Sequence, residues 1–485
     1  MSNTQQVDEV PLTQRIRENP RPLAVWLAMG AVLIALEFGA VFGFAADLLS
    51  VVISLIPGNP LPGVVSFLES LGSSIPTLLS RETIPNQGYF NGSGYENTFL
   101  GLEPMLAWLV RVVLVYLYAF LFLGWVWNGY VRFRRHYRYA DWTPRDDVVD
   151  RLRSHQWGQF GLIVVFLFVI LAVFAPALGP TTVEANILNP YSHTVQFWNA
   201  DAGAVQEVTV GQANLQSGSQ GSGTQNVGPW TYDDFGRFHP FGTTTNGKDM
   251  FTFLATGARI SLSIAISTMV ISGFIALALA MVTAYYKGLA DLLVVVSSDS
   301  IQALPQLMLL ILLMVVFNQT WLSEFYDGAL LMVMIFVFGY WPFLWRAIRG
   351  PALQIAEEEW IDAAKSFGQR PWVIMKKHMA PYVLGYLLIY TSMSLGGIII
   401  AVAGLSYLGL GINPPTPEWG RIISDGQPYV ATQSWHISLI PGILITLIVT
   451  GFNAMGDGIR DAIDPKSAKG EGDGNTEAVA GGSGA

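Results

Sequence analysis

Apolar runs near 20 residues long recur along this chain from Leu23 onward, and they limit its fold more than any other feature. In hydrocarbon no water is available to a backbone N–H or C=O, so such runs must pair their own peptide groups and become helices. Roughly 20 apolar residues span a bilayer core. The runs lie at about 23–49, 104–130, 157–178, 257–286, 293–317, 328–345, 382–404 and 436–455. Charged residues are only 13% of the chain, about half the share usual in soluble domains. The expected class is an all-α integral membrane protein, a polytopic helical bundle. A cleaved signal peptide is the alternative for 23–49, but that run exceeds the roughly 7–15 residues of a signal core, so a retained helix is expected.

Charge sets the orientation. Residues 132–153 hold Arg132, Arg134, Arg135, Arg138, Arg145, Arg151 and Arg153, and short loops rich in Arg and Lys stay cytoplasmic. The polar stretch 179–250 has only Arg237 and Lys248 as cations and suits the outside. Basic residues also mark the N-terminal tail, Lys287, the segment 346–381 and the region after Gly456. With all of these inside, both termini are cytoplasmic and the number of crossings is even. Eight satisfies this; a further hairpin in the Pro- and Gly-interrupted segment 51–79 would make ten.

The absence of cysteine removes disulfides, thiolate metal sites and cysteine nucleophiles. The six histidines are scattered, with no HExxH, which argues against a membrane metalloenzyme. Residues 242–248 have the GxxxxGK spacing of a phosphate loop. Asp249, however, stands where Ser or Thr would bind magnesium, and no strand is expected before it. ATP chemistry is therefore expected on another chain. Sequons at Asn91 and Asn318 fall on the expected outer side. The net charge of −9 with few lysines fits a high-salt lifestyle or ordinary compositional drift.

The segment 353–381 carries the functional reading. Leu353, Ala356, Trp360, Ala363, Ala364 and Phe367 recur at spacings of three and four, one apolar stripe on a helix. Glu357, Glu358, Glu359 and Asp362 lie near its start, where acids suit the helix dipole. Gly368 fits a left-handed stop. Pro371 can open a second helix to Met379, and Pro381 is expected to close the unit. An amphipathic helix lying on lipid headgroups is the competing reading, but such helices carry Lys or Arg on their polar face, whereas this one is acidic and favours a protein partner.

Asp362-Ala363-Ala364-Lys365-Ser366-Phe367-Gly368, then nine residues, then His378-Met379-Ala380-Pro381, resembles the EAA loop of ABC importer permeases. Asp362 replaces the family's first Glu, and His378 and Ala380 replace apolar residues. Further segments resemble the dipeptide/oligopeptide/nickel-type permeases: His239-Pro240-Phe241-Gly242-Thr243 with Gly247-Lys248-Asp249 and Gly257 to Leu262; Leu405 to Gly411 with Pro414 to Pro417 and Trp419-Gly420; and Gly456 to Pro465. The match covers about 235–466, and 157–178 more loosely; residues 1–150 match nothing.

The resemblance implies a six-helix type I ABC importer permease core plus about two extra N-terminal transmembrane helices. It implies a multi-pass plasma-membrane subunit that forms half of a translocation pathway with a second permease, as a heterodimer. Two ATP-binding cassette subunits would dock through Glu359, Asp362, Ala363, Ala364, Gly368, His378 and Pro381, and an extracytoplasmic substrate-binding protein would deliver di- or oligopeptides. No catalytic residue, cofactor, metal or nucleic acid is expected of the chain itself; ATP is used by the partner subunits. The expected divisions are a cytoplasmic tail 1–22, an extension 23–155, a first core helix with a polar segment 156–250, the core 251–466 and a disordered acidic Gly-rich tail 467–485. The rival classes are a stand-alone secondary transporter or channel, for which Glu37, Arg111, Arg259, Asp291 and Asp299 are the candidate intramembrane charges, and a structural membrane protein.

Overall fold

The computed structural model describes residues 11–37, 63, 66–67, 70, 77, 79–138, 140, 142–223 and 225–463. The segment that decides between eight and ten spans lies largely outside these residues, as does the acidic tail. Two compact units form, residues 1–143 with 196–206, and residues 144–195 with 207–485. Among the described residues the strands are three two-stranded hairpins: β1 (Tyr89–Phe90) with β2 (Tyr95–Glu96), β3 (Thr194–Asn199) with β4 (Ala204–Thr209), and β5 (Thr231–Tyr232) with β6 (Phe238–His239).

In the first unit, α1 (Leu12–Glu18) meets α2 (Arg21–Leu36) at 92°, so the polar tail is not wholly irregular. Beside α2 runs α3 (Pro104–His136). Trp26 and Trp125 stack with ring centroids 4.5 Å apart, and each indole N–H donates to the other's backbone carbonyl. Both interior charges expected here have a backbone partner. Arg111 donates to the Ile84 carbonyl at 2.8 Å, and Glu37 accepts from the Leu79 amide at 3.1 Å.

The second unit contains α4 (Pro144–Ser154), α5 (Gln156–Val173), α6 (Val210–Gln216), α7 (Met250–Tyr286), α8 (Gly288–Gln302), α9 (Gln306–Phe317), α10 (Ala329–Ala356), α11 (Glu359–Ser366), α12 (Pro371–Val373), α13 (Ala380–Tyr407), α14 (Trp419–Gly426) and α15 (His436–Ile463). Over the described residues six helices are long and apolar enough to cross a membrane, and eight if each of two bent pairs crosses as one span. The run 293–317 is not one straight helix, as its composition implied. Helices α8 and α9 meet at 86°, with Pro305 at the break, where its missing N–H and ring clash oppose continuation. Pro342, by contrast, lies inside the continuous α10.

Lipid is as apolar as leucine, so membrane helices associate through close packing and not hydrophobic expulsion. Between α5 and α15 a Cβ at Gly161 would meet the Met455 nitrogen at 2.2 Å and the Gly451 oxygen at 2.6 Å, and one at Gly158 would meet the Gly458 Cα at 2.8 Å. These glycines set the helix separation. Beside them His155 caps α5 through Nδ1 and reaches Asp461 at 3.0 Å through Nε2. Helix α7 packs along α10 with Ala258, Ala265, Ala276, Ala280 and Ala284 fully buried. Its 37 residues make about 55 Å, longer than the roughly 30 Å hydrocarbon core, so it is long enough to extend beyond that core.

One end of α7 is held in a buried polar socket. His239 Nδ1 lies 2.9 Å from Asp249 and Nε2 lies 3.4 Å from Asp233, which also binds Arg237 at 2.7 Å. Arg237 reaches Asn214, and Asp249 caps α7 through the Thr252 amide. No sequence spacing marks these histidine and aspartate side chains as neighbours, and among the described residues no group of three forms a metal site. The two-residue strand β6 precedes the GxxxxGK segment, contrary to expectation. That loop still cannot cradle a phosphate in the usual way, because the amides of residues 242, 243, 244, 247, 248, 249 and 250 are all bonded within the protein.

Burial opposes charging of His239, but the bonds to Asp233 and Asp249 outweigh it and raise its pKa. Burial also works against the Asp233 anion, yet His239 and Arg237 hold its carboxyl well below the usual range. Two carboxylates, Asp233 and Asp249, thus face Arg237 and His239 across the socket. A raised histidine pKa stabilises below the unfolded value of about 6.5 and is lost as pH rises through the folded value. The melting temperature of the purified protein should therefore fall as pH rises above neutrality, and His239→Gln should reduce that slope; an unchanged slope would show that His239 is not the titrating group.

Candidate functional site

The loop between α10 and α13 is built from three breaks in an otherwise helical backbone. The helix expected over 353–368 is interrupted. Leu353 to Ala356 finish α10, Glu357 caps it, Glu358 is extended, and α11 starts at Glu359. Three consecutive acids at a helix C-terminus oppose the dipole, whereas at a new N-terminus the same charges are favourable. The second break is Gly368, at φ +71°. Its N–H bonds Lys365 O while the Gln369 N–H bonds Ala364 O, the paired bonds of a Schellman stop. The third is a π-helical turn, Ile374–Met379, that joins α12 directly to α13. Pro381 therefore does not close the unit. It occupies the first turn of α13, where proline needs no donor, and the second loop helix is continuous with the next span.

The buried face also differs from the expected stripe. Ile361 and Ala364 are buried with Ile374, Met375 and Met379 in one core with Ala280, Ala284, Ala352 and Ala356. Trp360 and Phe367, read as inward-facing, are 43% and 85% exposed, and Ala363 is exposed with them. Two residues separate the end of α10 from the start of α11, so its phase is not inherited from Leu353 and Ala356. Trp372 and Tyr382, which the sequence reading passed over, are also exposed at 68% and 58%. The Trp360 and Tyr382 rings lie 5.8 Å apart.

The remaining expected site residues fall around this face. Glu359 and Asp362 are exposed in the first turn of α11, and Asp362 pairs with Lys365 at 2.9 Å. His378 is half-buried and bridges to Gln369 at 3.1 Å, tying the second helix to the glycine turn. Ala364 alone among them is buried, facing the core.

The loop is fixed to the far end of α7. Lys287 reaches Glu357 at 3.1 Å, and the Lys365 ammonium lies 5.7 Å from the centre of the Tyr285 ring. Asp291 and Asp299, the carboxylates considered as transport charges, pair with Arg349 and Arg346 on α10. These pairs tie α8 to α10; they do not point alone into the bundle. Among polar residues within the spans, Ser263, Thr391 and Ser392 bond backbone carbonyls of their own helices, and Ser261, Thr268 and Ser272 are buried.

Comparison with known proteins places this architecture. The model of the binding-protein-dependent transport system inner membrane component matches residues 272–469, and that of the N-terminal transmembrane domain of oligopeptide transport permease C matches 143–201. The glutathione transport system permease protein of Escherichia coli is 33% identical over 324 residues, 67% of this chain and 91% of that protein. The chain belongs to the family of peptide-type ABC importer permeases. This permease is also 28% identical over 329 residues to the dipeptide transport system permease protein of Alkalihalophilus pseudofirmus, covering 68% of this chain and 92% of that protein. It is 29% identical over 324 residues to the oligopeptide transport system permease protein of Bacillus subtilis, covering 67% and 90%. It is thus a membrane permease subunit of an importer with partner subunits, not a transporter working alone. Neither family model reaches residues 1–142.

A Cβ at Gly368 meets nothing within 4 Å, so only its backbone angle resists substitution. Gly368→Ala should destabilise the turn by about 1 kcal/mol and speed amide exchange over residues 364–370 about fivefold, with Gly368→Asn intermediate. Equal exchange in all three proteins would show that the left-handed stop is not needed.

Proposed function

We propose that this permease forms half of the translocation pathway for di- or oligopeptides and is driven through the loop 353–381 by separate ATPase subunits. The observation that carries this is the exposed face of Trp360, Ala363, Phe367, Trp372 and Tyr382 beside Glu359 and Asp362. Large aromatics left in water on a rigid element, with charges around them, have the composition of a protein-binding centre with a polar rim. The loop passes without a flexible linker from α10 into α13 and is bonded to α7. A push on it is therefore a push on three spans. Peptide as substrate is supported by the names of the relatives, which transport dipeptides, oligopeptides and glutathione. The proposed assembly has a second permease, two ATP-binding cassette subunits and an extracytoplasmic binding protein.

Phe367→Ala and Trp360→Ala should reduce co-purification of the ATPase by at least about tenfold each, a loss of roughly 1.4 kcal/mol or more as expected of interface anchors, while leaving the melting temperature of the lone permease unchanged. Asp362→Arg should uncouple ATP hydrolysis from uptake. Undiminished co-purification in both aromatic variants would end the docking reading. The lone purified chain should not turn over ATP.

Both termini and the 132–155 loop are proposed to be cytoplasmic because seven arginines lie between residues 132 and 153. Since the chain has no cysteine, Ser154→Cys gives a single label site. It should resist an impermeant maleimide in intact cells and react after permeabilisation; labelling in intact cells would reverse the orientation.

A further inference from the structure

Within the first unit, a cleft of about 430 Å³ opens between the start of α2 and the end of α3. It is lined by Arg21, Val25, Asn128, Arg132, Arg135 and His136 among others. Among the described residues no carboxylate pairs with Arg21, Arg132 or Arg135. The cleft is preformed. The reciprocal Trp26 and Trp125 bonds clamp the two helices, Tyr137 Oη donates to Asn19 O at 2.7 Å, and Arg132 is held by Asn128 Oδ1 and by Pro22 O at 3.2 Å. Arg21 and Arg135 are exposed. An orientation signal needs only basic residues in a loop; it does not need three guanidinium groups from two helices converging on one cavity without counter-charge.

We propose that this cleft binds the headgroup phosphate of an anionic phospholipid. Three features fix the chemistry. Guanidinium groups match phosphate oxygens in a forked geometry. The cleft lies where the apolar length of α3, with Leu117, Leu121, Val126 and Trp127 exposed, gives way to the Arg-rich end, the depth of a headgroup. Its wall includes Val25 and Val131, which suit the glycerol and upper acyl carbons of a lipid better than a hydrated ion. Basic pockets between membrane helices are a recognised headgroup geometry. Such a site would give the extension before residue 143, which neither family model covers, a function of its own.

The test uses the delipidated full-length chain in neutral detergent, with phosphatidylglycerol, phosphatidylcholine or inorganic phosphate added at matched concentration. Native mass spectrometry would count adducts, and a thermal melt would read stabilisation. Phosphatidylglycerol should bind and raise the melting temperature, whereas phosphatidylcholine and inorganic phosphate should not. Arg21→Gln and Arg135→Gln should each weaken phosphatidylglycerol binding by about fivefold without changing the lipid-free melting temperature, and Arg151→Gln, outside the cleft, should leave binding intact. Arg132→Gln also removes the Pro22 bond, so Arg132→Lys serves as its charge-retaining control. Equal binding of phosphatidylcholine, or unchanged binding in the Arg21→Gln, Arg135→Gln double variant, would overturn the proposal. Equal stabilisation by inorganic phosphate would assign the cleft to a soluble anion and overturn it as a lipid site.

Discussion

A peptide group inside a bilayer must find its hydrogen bond within the protein, and the rest of this structure follows from that demand. Among the described residues it makes the apolar runs helical and leaves the helices to associate by shape. Where α5 packs on α15, the chain supplies Gly158 and Gly161 opposite Gly451 and Gly458, and a side chain at Gly161 would strike the backbone of α15. Where the backbone stops being helical, polar side chains or turns take over: Asp249 at the head of α7, His155 at the head of α5, Gly368 at the end of α11.

The same rigidity suits the proposed transmission. Helix α7 is anchored by the Asp233, Arg237, His239 and Asp249 socket at one end and by the Lys287 and Lys365 contacts at the other. The loop 353–381 is a short α-helix and a π-helical turn packed on α7 and α10 through Ile361, Ala364, Ile374 and Met379. Side chains packed in such a core move together, so a force on the exposed aromatics reaches the spans with little loss in slack loops. The acidic residues at the α10 to α11 break disfavour a seat on a negatively charged lipid surface, which suits basic helices.

Much of the site was legible because its backbone chemistry is local. A glycine after an alanine-rich helix, a proline opening the next, and acids at a first turn have one natural geometry each, and Gly368, Pro371 and Glu359 adopt it. The face of α11 was not legible. A stripe drawn from Leu353 assumes one helix, and the break between Glu357 and the extended Glu358 shifts the phase, turning Trp360 and Phe367 outward. Pro381 was misread for a related reason, since a proline that can end a helix can equally begin one.

The sequence by itself determined that the chain lies in a membrane as helices, which segments are basic, and that its loop carries the signature of an importer permease, since run length, charge count and motif order need no fold. Tertiary structure decided which side chains meet. Asp233, His239 and Asp249 converge across 16 residues of turns, Asp291 and Asp299 find Arg349 and Arg346 on another helix, and Arg21 joins Arg132 and Arg135 around one cleft. Such pairings depend on how helices are rotated and spaced. That is set by packing of small residues over the whole bundle, and no local stretch of sequence encodes it.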